Sequence, residues 1–132
     1  MKQVKLNINT KSQKYSIIIG KGVSYKLPRL LFENSITFNR CLIVIDNKIK
    51  NKIISKIKNS FKKKNIIIHL FNASEKNKNQ KSIDKILEIL LKKNFSRQDC
   101  IISIGGGITG DISGYAASLF KRGIQFVNVP ST

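Results

Sequence analysis

CIISIGGGITGDISGYAAS, residues 100–118, decides the fold. Asp99 to Ile104, apolar but for Asp99 and Ser103, has the composition of a strand buried on both faces. It ends in Gly105, Gly106 and Gly107, and a helix opens through Ile108, Thr109, Gly110 and Asp111. Glycine permits positive φ and close backbone approach, and the unbonded N–H groups of a first helical turn bind anions. Such a strand-to-helix turn fits a dinucleotide diphosphate. Gly114, Ala116, Ala117 and Ser118 are small enough to let the helix lie close to a sheet or a ligand. The spacing is G-G-G-x-x-G-D rather than G-x-G-x-x-G, and a tight connection without a ligand could use the same residues.

Outward from this turn, strand and helix patterns alternate. CLIVID after Arg40 and NIIIHLF (residues 65–71) read as two further buried strands, and Ile124 to Val129 as the last strand. Between them, Lys48 to Phe61 places Ile49, Ile53, Ile54, Ile57 and Phe61 at helical spacing. Ser82 to Leu91 does the same with Ile83, Ile86, Leu87, Leu90 and Leu91. Upstream, Val4, Leu6, Ile8 and then Tyr15, Ile17, Ile19 alternate with polar residues, which predicts a half-buried hairpin. Tyr25 to Phe32 predicts a short helix with Pro28 in its first turn. Strands alternating with helices imply βαβ units. The predicted fold is α/β: one domain over residues 1–132 with an open, mostly parallel, Rossmann-like doubly wound sheet and an N-terminal β-hairpin. In such sheets ligands sit at the carboxyl ends of the strands, here Asp46, the Asn72–Lys78 loop, the Gly105 turn and Pro130–Thr132.

The formal charge of +18 would normally suggest a polyanionic partner. Only Arg29, Arg40, Arg97 and Arg122 are arginines, however, and the lysines are scattered among Asn and Ile through nearly every segment. That mixture reads as a coding bias toward Lys, Asn and Ile rather than a nucleic-acid face built from clustered arginines and aromatics. Cys41 and Cys100 begin apolar runs, where free cysteine behaves as a small buried hydrophobe; neither disulfide nor metal is read from them. No apolar run approaches the roughly 18 residues of a membrane span, and the first ten residues lack a signal-peptide apolar region. A cytoplasmic protein with reduced thiols is expected.

The longer stretch GGGITGDISGYAASLFKRGIQFVNVPST, residues 105–132, resembles the signature of the 3-dehydroquinate synthase family. That signature is a GGG-x-x-GD helix, an alanine-rich segment, a basic residue before Gly, and a strand closing in V-P-T-T. Ser74-Glu75-Lys76-Asn77-Lys78 is similar to the family's G-E-x-x-K loop, and Leu42–Asp46 to its strand ending in an adenosine-side Asp. The resemblance implies an NAD site. Asp46, Ser74, Glu75 and Lys78 would take the adenine and ribose side. Gly105, Gly106, Gly107, Ile108, Thr109, Gly110 and Asp111 would hold the pyrophosphate and nearby ribose, and Ser131 and Thr132 would lie near the nicotinamide. Taken alone, Glu75 and Lys78 could be solvated loop charges and Asp111 a helix-terminus carboxylate. Ser74 replaces the family's usual glycine, which would strain the loop if that position needs positive φ. Ser131 replaces a threonine and keeps its hydroxyl.

The resemblance further implies a phosphate-eliminating lyase of the shikimate pathway, making 3-dehydroquinate from 3-deoxy-D-arabino-heptulosonate 7-phosphate for aromatic amino-acid biosynthesis. It implies a homodimer acting on a small sugar-acid phosphate, with NAD and a divalent metal, zinc or cobalt. The family's metal ligands, a Glu and two His, belong to a helical C-terminal domain that has no counterpart in these residues. No catalytic or metal-binding residue is therefore assigned to this chain. His69 lies inside a strand pattern and reads as structural. The expectation is a truncated or split product that is not competent alone. A glycerol dehydrogenase-like or iron-dependent alcohol dehydrogenase-like NAD oxidoreductase and a basic nucleic-acid-binding module are the alternative readings.

Overall fold

The computed structural model describes residues 2–61 and 65–131. Strands β1 (Val4–Asn9) and β2 (Lys14–Ile19) form an antiparallel hairpin, followed by helix α1 (Leu27–Glu33), with Pro28 in its first turn as the fixed proline φ requires. Then come β3 (Arg40–Asp46), α2 (Asn51–Ser60), β4 (Asn65–Phe71), α3 (Gln80–Lys92), β5 (Cys100–Gly105), α4 (Gly107–Leu119) and β6 (Gln125–Pro130). The last four strands form one parallel sheet in the order β4-β3-β5-β6. The chain winds from β3 to one side and then to the other, so the order reverses between β3 and β5. Helices cover both faces. Leu42, Val44, Ile101, Ile83, Ile86, Leu90, Ile112 and Ala116 form the core under α3 and α4. Cys41, Ile43, Ile45, Ile102, Ile104, Ile57 and Leu31 form the core under α1 and α2. The doubly wound α/β fold is the one the alternating pattern predicts.

Two details differ from the sequence reading. NIIIHLF is a sheet edge rather than an interior strand: Ile66, Ile67, Ile68 and His69 are half-buried and Leu70 faces solvent. A continuous apolar run cannot distinguish a central strand from an edge that one helix partly covers. The hairpin has the expected register, Val4 opposite Ile19, Leu6 opposite Ile17 and Ile8 opposite Tyr15. Yet Val4, Leu6, Tyr15, Ile17 and Ile19 are each 40% to 50% exposed. The alternation specifies which residues share a face, not whether that face is covered. An open groove of about 1480 Å³ runs from this hairpin past Leu27 and Leu31 to β6.

The amino end of the sheet is tightly joined. Asp99, almost fully buried, accepts the Arg40 N–H at 2.9 Å and the Ser96 N–H at 2.7 Å, and its second oxygen lies 3.6 Å from the Arg40 guanidinium. That guanidinium donates to the carbonyls of Lys93 and Asn94 just past α3 and stacks 4.5 Å above the Phe95 ring. Cys41 and Cys100 face each other across β3 and β5 as free, fully buried thiols. Burial pushes the Cys41 thiol far up, and the Cys100 side chain beside it adds to the shift.

Candidate functional site

Parallel sheets bind ligands in the crevice at the carboxyl ends of their strands where the order reverses, here between β3 and β5. Its floor is the end of β5. A Cβ on Gly105 would lie 2.7 Å from Thr109 Oγ1 and 3.0 Å from the Asp46 Cβ, so only glycine lets β3, β5 and α4 meet here. Gly106 precedes α4 in an extended conformation, and no side chain caps the helix. The first intrahelical bond runs from the Gly110 N–H to the Gly106 carbonyl at 3.1 Å. The N–H groups of Gly107, Ile108 and Thr109 therefore precede the helix's own bonding. No acidic residue lies in this first turn to compete with an anion. The positive φ offered above as a reason for the glycines is absent: among the described residues only Gly22 and Gly123 are glycines with positive φ. Close approach is what this turn uses.

Gly107 differs from Gly105. It opens α4 in solvent, and a Cβ there would meet nothing within 4 Å. The fold makes no demand for glycine at this position. On the buried face of the same helix, Thr109 and, four residues on, Ser113 are fully buried and their hydroxyls have no hydrogen-bond partner, an arrangement that native interiors seldom leave unanswered.

Other elements bring the remaining residues to the crevice. Asp46 ends β3, and its Oδ1 accepts the Lys48 N–H at 2.9 Å, which fixes the carboxylate beside Gly105. The Ser131 N–H donates to the Gly105 carbonyl at 2.8 Å, so the segment after β6 lies against the turn. Ser74 sits at φ −155, extended backbone that serine adopts freely, so its replacement of glycine causes no strain. Glu75 opens a short 3-10 turn and is exposed. Lys78 reaches from that loop to Asp111 on α4, Nζ to Oδ2 at 3.1 Å, and this carboxylate holds the Lys78 ammonium above its ordinary value. Asp111 lies beyond the first turn of α4 and is ion-paired, so it is not a helix-terminus carboxylate. Thr132 lies outside the described residues.

Sequence reasoning missed two contributors. Lys48 Nζ donates to the Ala73 carbonyl at 2.8 Å and ties the β3 end to the 72–78 loop. On the α4 side of the sheet, the buried Ser103 hydroxyl donates to Asn128 Oδ1 at 2.7 Å, and Asn128 fills the space that a side chain at Gly110 would need. The available signal was a polar residue in each of two apolar runs, CIISI and FVNV. Among the described residues no three His, Cys, Asp or Glu side chains gather as a metal site. His69 is half-buried on β4, and burial together with the Lys85 charge lowers its basicity.

A family profile described as "3-dehydroquinate synthase N-terminal" matches residues 67–132, which hold most of β4, the 72–78 loop, the Gly-rich turn and β6. The chain belongs to the 3-dehydroquinate synthase family. It is 58% identical over 129 residues to the 3-dehydroquinate synthase of Pelagibacter ubique (strain HTCC1062), covering 98% of this chain and 35% of that protein. It is 34% identical over 131 residues to that of Streptococcus sanguinis (strain SK36), again over 98% of this chain and 37% of the relative. The chain thus spans about a third of the length of these family members. In fold it is similar to a 2-deoxy-scyllo-inosose synthase solved with carbaglucose-6-phosphate, NAD+ and Co2+. The TM-score is 0.85 at 22% identity, over 98% of this chain and 35% of that one. The glycerol dehydrogenase of Schizosaccharomyces pombe shares the fold less closely, with TM-score 0.58 at 18% identity over 80% of this chain and 26% of that one. The synthase rather than the dehydrogenase reading is therefore favoured, and the nucleic-acid module is not.

Proposed function

We propose that residues 1–132 are the N-terminal, NAD-binding domain of a 3-dehydroquinate synthase. The observation that carries this reading is Gly107. It occupies the first position of an uncapped helix at the sheet's reversal point, and nothing in the fold requires it to lack a side chain. A ligand backbone lying against the helix terminus supplies that requirement. The orphaned Thr109 hydroxyl under the same turn adds a polar group with no internal partner.

In this reading the N–H groups of Gly107, Ile108 and Thr109 bind the pyrophosphate, with Gly105, Gly106 and Gly110 admitting the chain of α4 close to it. Asp46, held in orientation by the Lys48 N–H, accepts hydrogen bonds from ribose hydroxyls on the adenosine side. Ser74, Glu75 and Lys78 flank that ribose, Asp111 serves the nearby ribose, and Ser131 with Thr132 lies toward the nicotinamide. Bound NAD supplies reversible removal of hydride from a substrate carbinol. The residues present do not fit a divalent metal, since the described part of the chain gathers no ligand set. What this chain contributes is binding and orientation of the dinucleotide.

The substrate of the whole enzyme is a sugar-acid phosphate, 3-deoxy-D-arabino-heptulosonate 7-phosphate, from which phosphate is eliminated on the way to 3-dehydroquinate. The working unit is a homodimer, and the setting is the cytoplasm, in keeping with two free buried thiols. A chimera tests the function: these 132 residues replace the matching N-terminal part of the Pelagibacter ubique relative. The chimera is expected to form 3-dehydroquinate and to lose that activity on Gly107→Trp. A folded chimera with no turnover contradicts the proposal.

A further inference from the structure

Lys78 and Asp111 form an ion pair that bridges two elements at the carboxyl end of the sheet. Both partners are well exposed, 43% and 66% at the side chain, so the pair is readily exchanged for another. Asp111 follows Gly107 by four residues, which puts both on the same face of α4, one turn apart. The Lys78 ammonium is thereby parked one helical turn from the free N–H groups of Gly107, Ile108 and Thr109. A flexible lysine stem spans that separation.

The pair is not what shapes the loop. Asn77 Nδ2 donates to the Asn72 carbonyl at 2.9 Å, the Ser82 hydroxyl donates to the Asn77 carbonyl at 2.7 Å, and Lys48 holds Ala73. The loop is therefore braced without Lys78. With structural need removed, the remaining consequence of the pair is electrostatic: it occupies a lysine on the loop facing α4 with a carboxylate.

We propose that the Lys78–Asp111 ion pair is an exchangeable latch: without ligand Asp111 holds the Lys78 ammonium, and a diphosphate at the α4 terminus takes that ammonium over. This rests on the dinucleotide-binding reading of the crevice. A diphosphate carries more charge than a carboxylate and gains the helix N–H groups at the same time, so it outcompetes Asp111. The released carboxylate, repelled by the phosphates, turns to hydroxyl donors, which the ribose of a dinucleotide supplies and inorganic pyrophosphate does not. Asp111 thus opposes bare diphosphate and favours a ribose-bearing one.

Calorimetric titration with inorganic pyrophosphate and with NAD tests the latch on wild type, Asp111→Asn, Lys78→Gln and the double variant, each checked for folding by circular dichroism. Asp111→Asn is expected to bind pyrophosphate about three- to fivefold more tightly. It should bind NAD no more tightly, moving the preference for NAD over pyrophosphate by about that factor or more. With Lys78→Gln in the background the gain should fall below about twofold. Equal effects of Asp111→Asn on both ligands, weaker pyrophosphate binding, or a gain undiminished by Lys78→Gln would overturn the latch while leaving the crevice intact. Absence of binding of either ligand by folded wild type would remove the crevice reading and the latch with it.

Discussion

The two ends of the parallel sheet are built on opposite terms. At the amino end Asp99 is buried, its oxygens are bonded to Arg40 and Ser96, and the Arg40 guanidinium is used by two carbonyls and an aromatic ring. At the carboxyl end the ion pair is exposed, the buried Thr109 hydroxyl in the first turn of α4 lacks a partner, three helix N–H groups precede the first intrahelical bond, and Gly107 has open space around it. One end satisfies its polar groups internally, and the other leaves several of them unmet by the chain. Unmet hydrogen-bonding capacity costs free energy, and its concentration at one end supports placing the proposed binding site there.

The largest test of that contrast is at Asp99. Asp99→Ala leaves two backbone donors unpaired and takes the carboxylate from a guanidinium that keeps its two carbonyl acceptors, and is expected to cost roughly 2–5 kcal/mol in denaturant unfolding. NAD affinity of the fraction that remains folded should be unchanged. A selective loss of NAD binding would join the two ends and break the contrast.

Within the carboxyl end, two glycines separate packing from binding. Gly105→Val drives its side chain into Thr109 and Asp46 and should destabilise by about 1–3 kcal/mol, with NAD binding lost as well. Gly107→Ala meets no atom, so stability should be unchanged or raised by up to about 1 kcal/mol, while NAD affinity falls about tenfold or more as the methyl group displaces the ligand. Unaltered affinity in Gly107→Ala would return that glycine to chance.

The smallest effect is at His69 on the edge strand β4. Its folded-state basicity is lowered by burial and by Lys85, so neutral His69 contributes stability above the unfolded value of about pH 6.5. That contribution is lost as pH falls through the lower folded value. Wild type should therefore lose slightly more stability than His69→Gln on acidification below about pH 6.5, measured by urea midpoints. Identical pH profiles would show that the site does not sense its surroundings.

Much of this was legible in residues 40–130, where periods of strand and helix alternate and GGGITGD punctuates them. The core faces follow from Ile83, Ile86 and Leu90 on α3 and from the alternation of β3. What escaped the sequence depends on strand order. Nothing in NIIIHLF says that it ends a sheet, and nothing in VKLNIN says that its apolar face lies open. Asp46 was read as a site residue from its place after CLIVI, but its contact with Gly105 needs β3 and β5 to be neighbours. The Lys78–Asp111 pair joins residues thirty-three positions apart in sequence, beyond any local pattern. Of the two reasons the sequence offers for Gly105, close approach holds and positive φ does not.

The central claim is that a dinucleotide lies across the carboxyl ends of β3 and β5. An NAD titration of the 15N-labelled chain, followed by amide NMR shifts, tests it most directly. The account predicts saturable shifts confined to Asp46 to Lys48, Ser74 to Lys78, Gly105 to Asp111 and Ser131, with Arg40, Ser96 and Asp99 unmoved. A well-dispersed spectrum with no saturable shifts, or with shifts centred on the amino end or the hairpin, would contradict it.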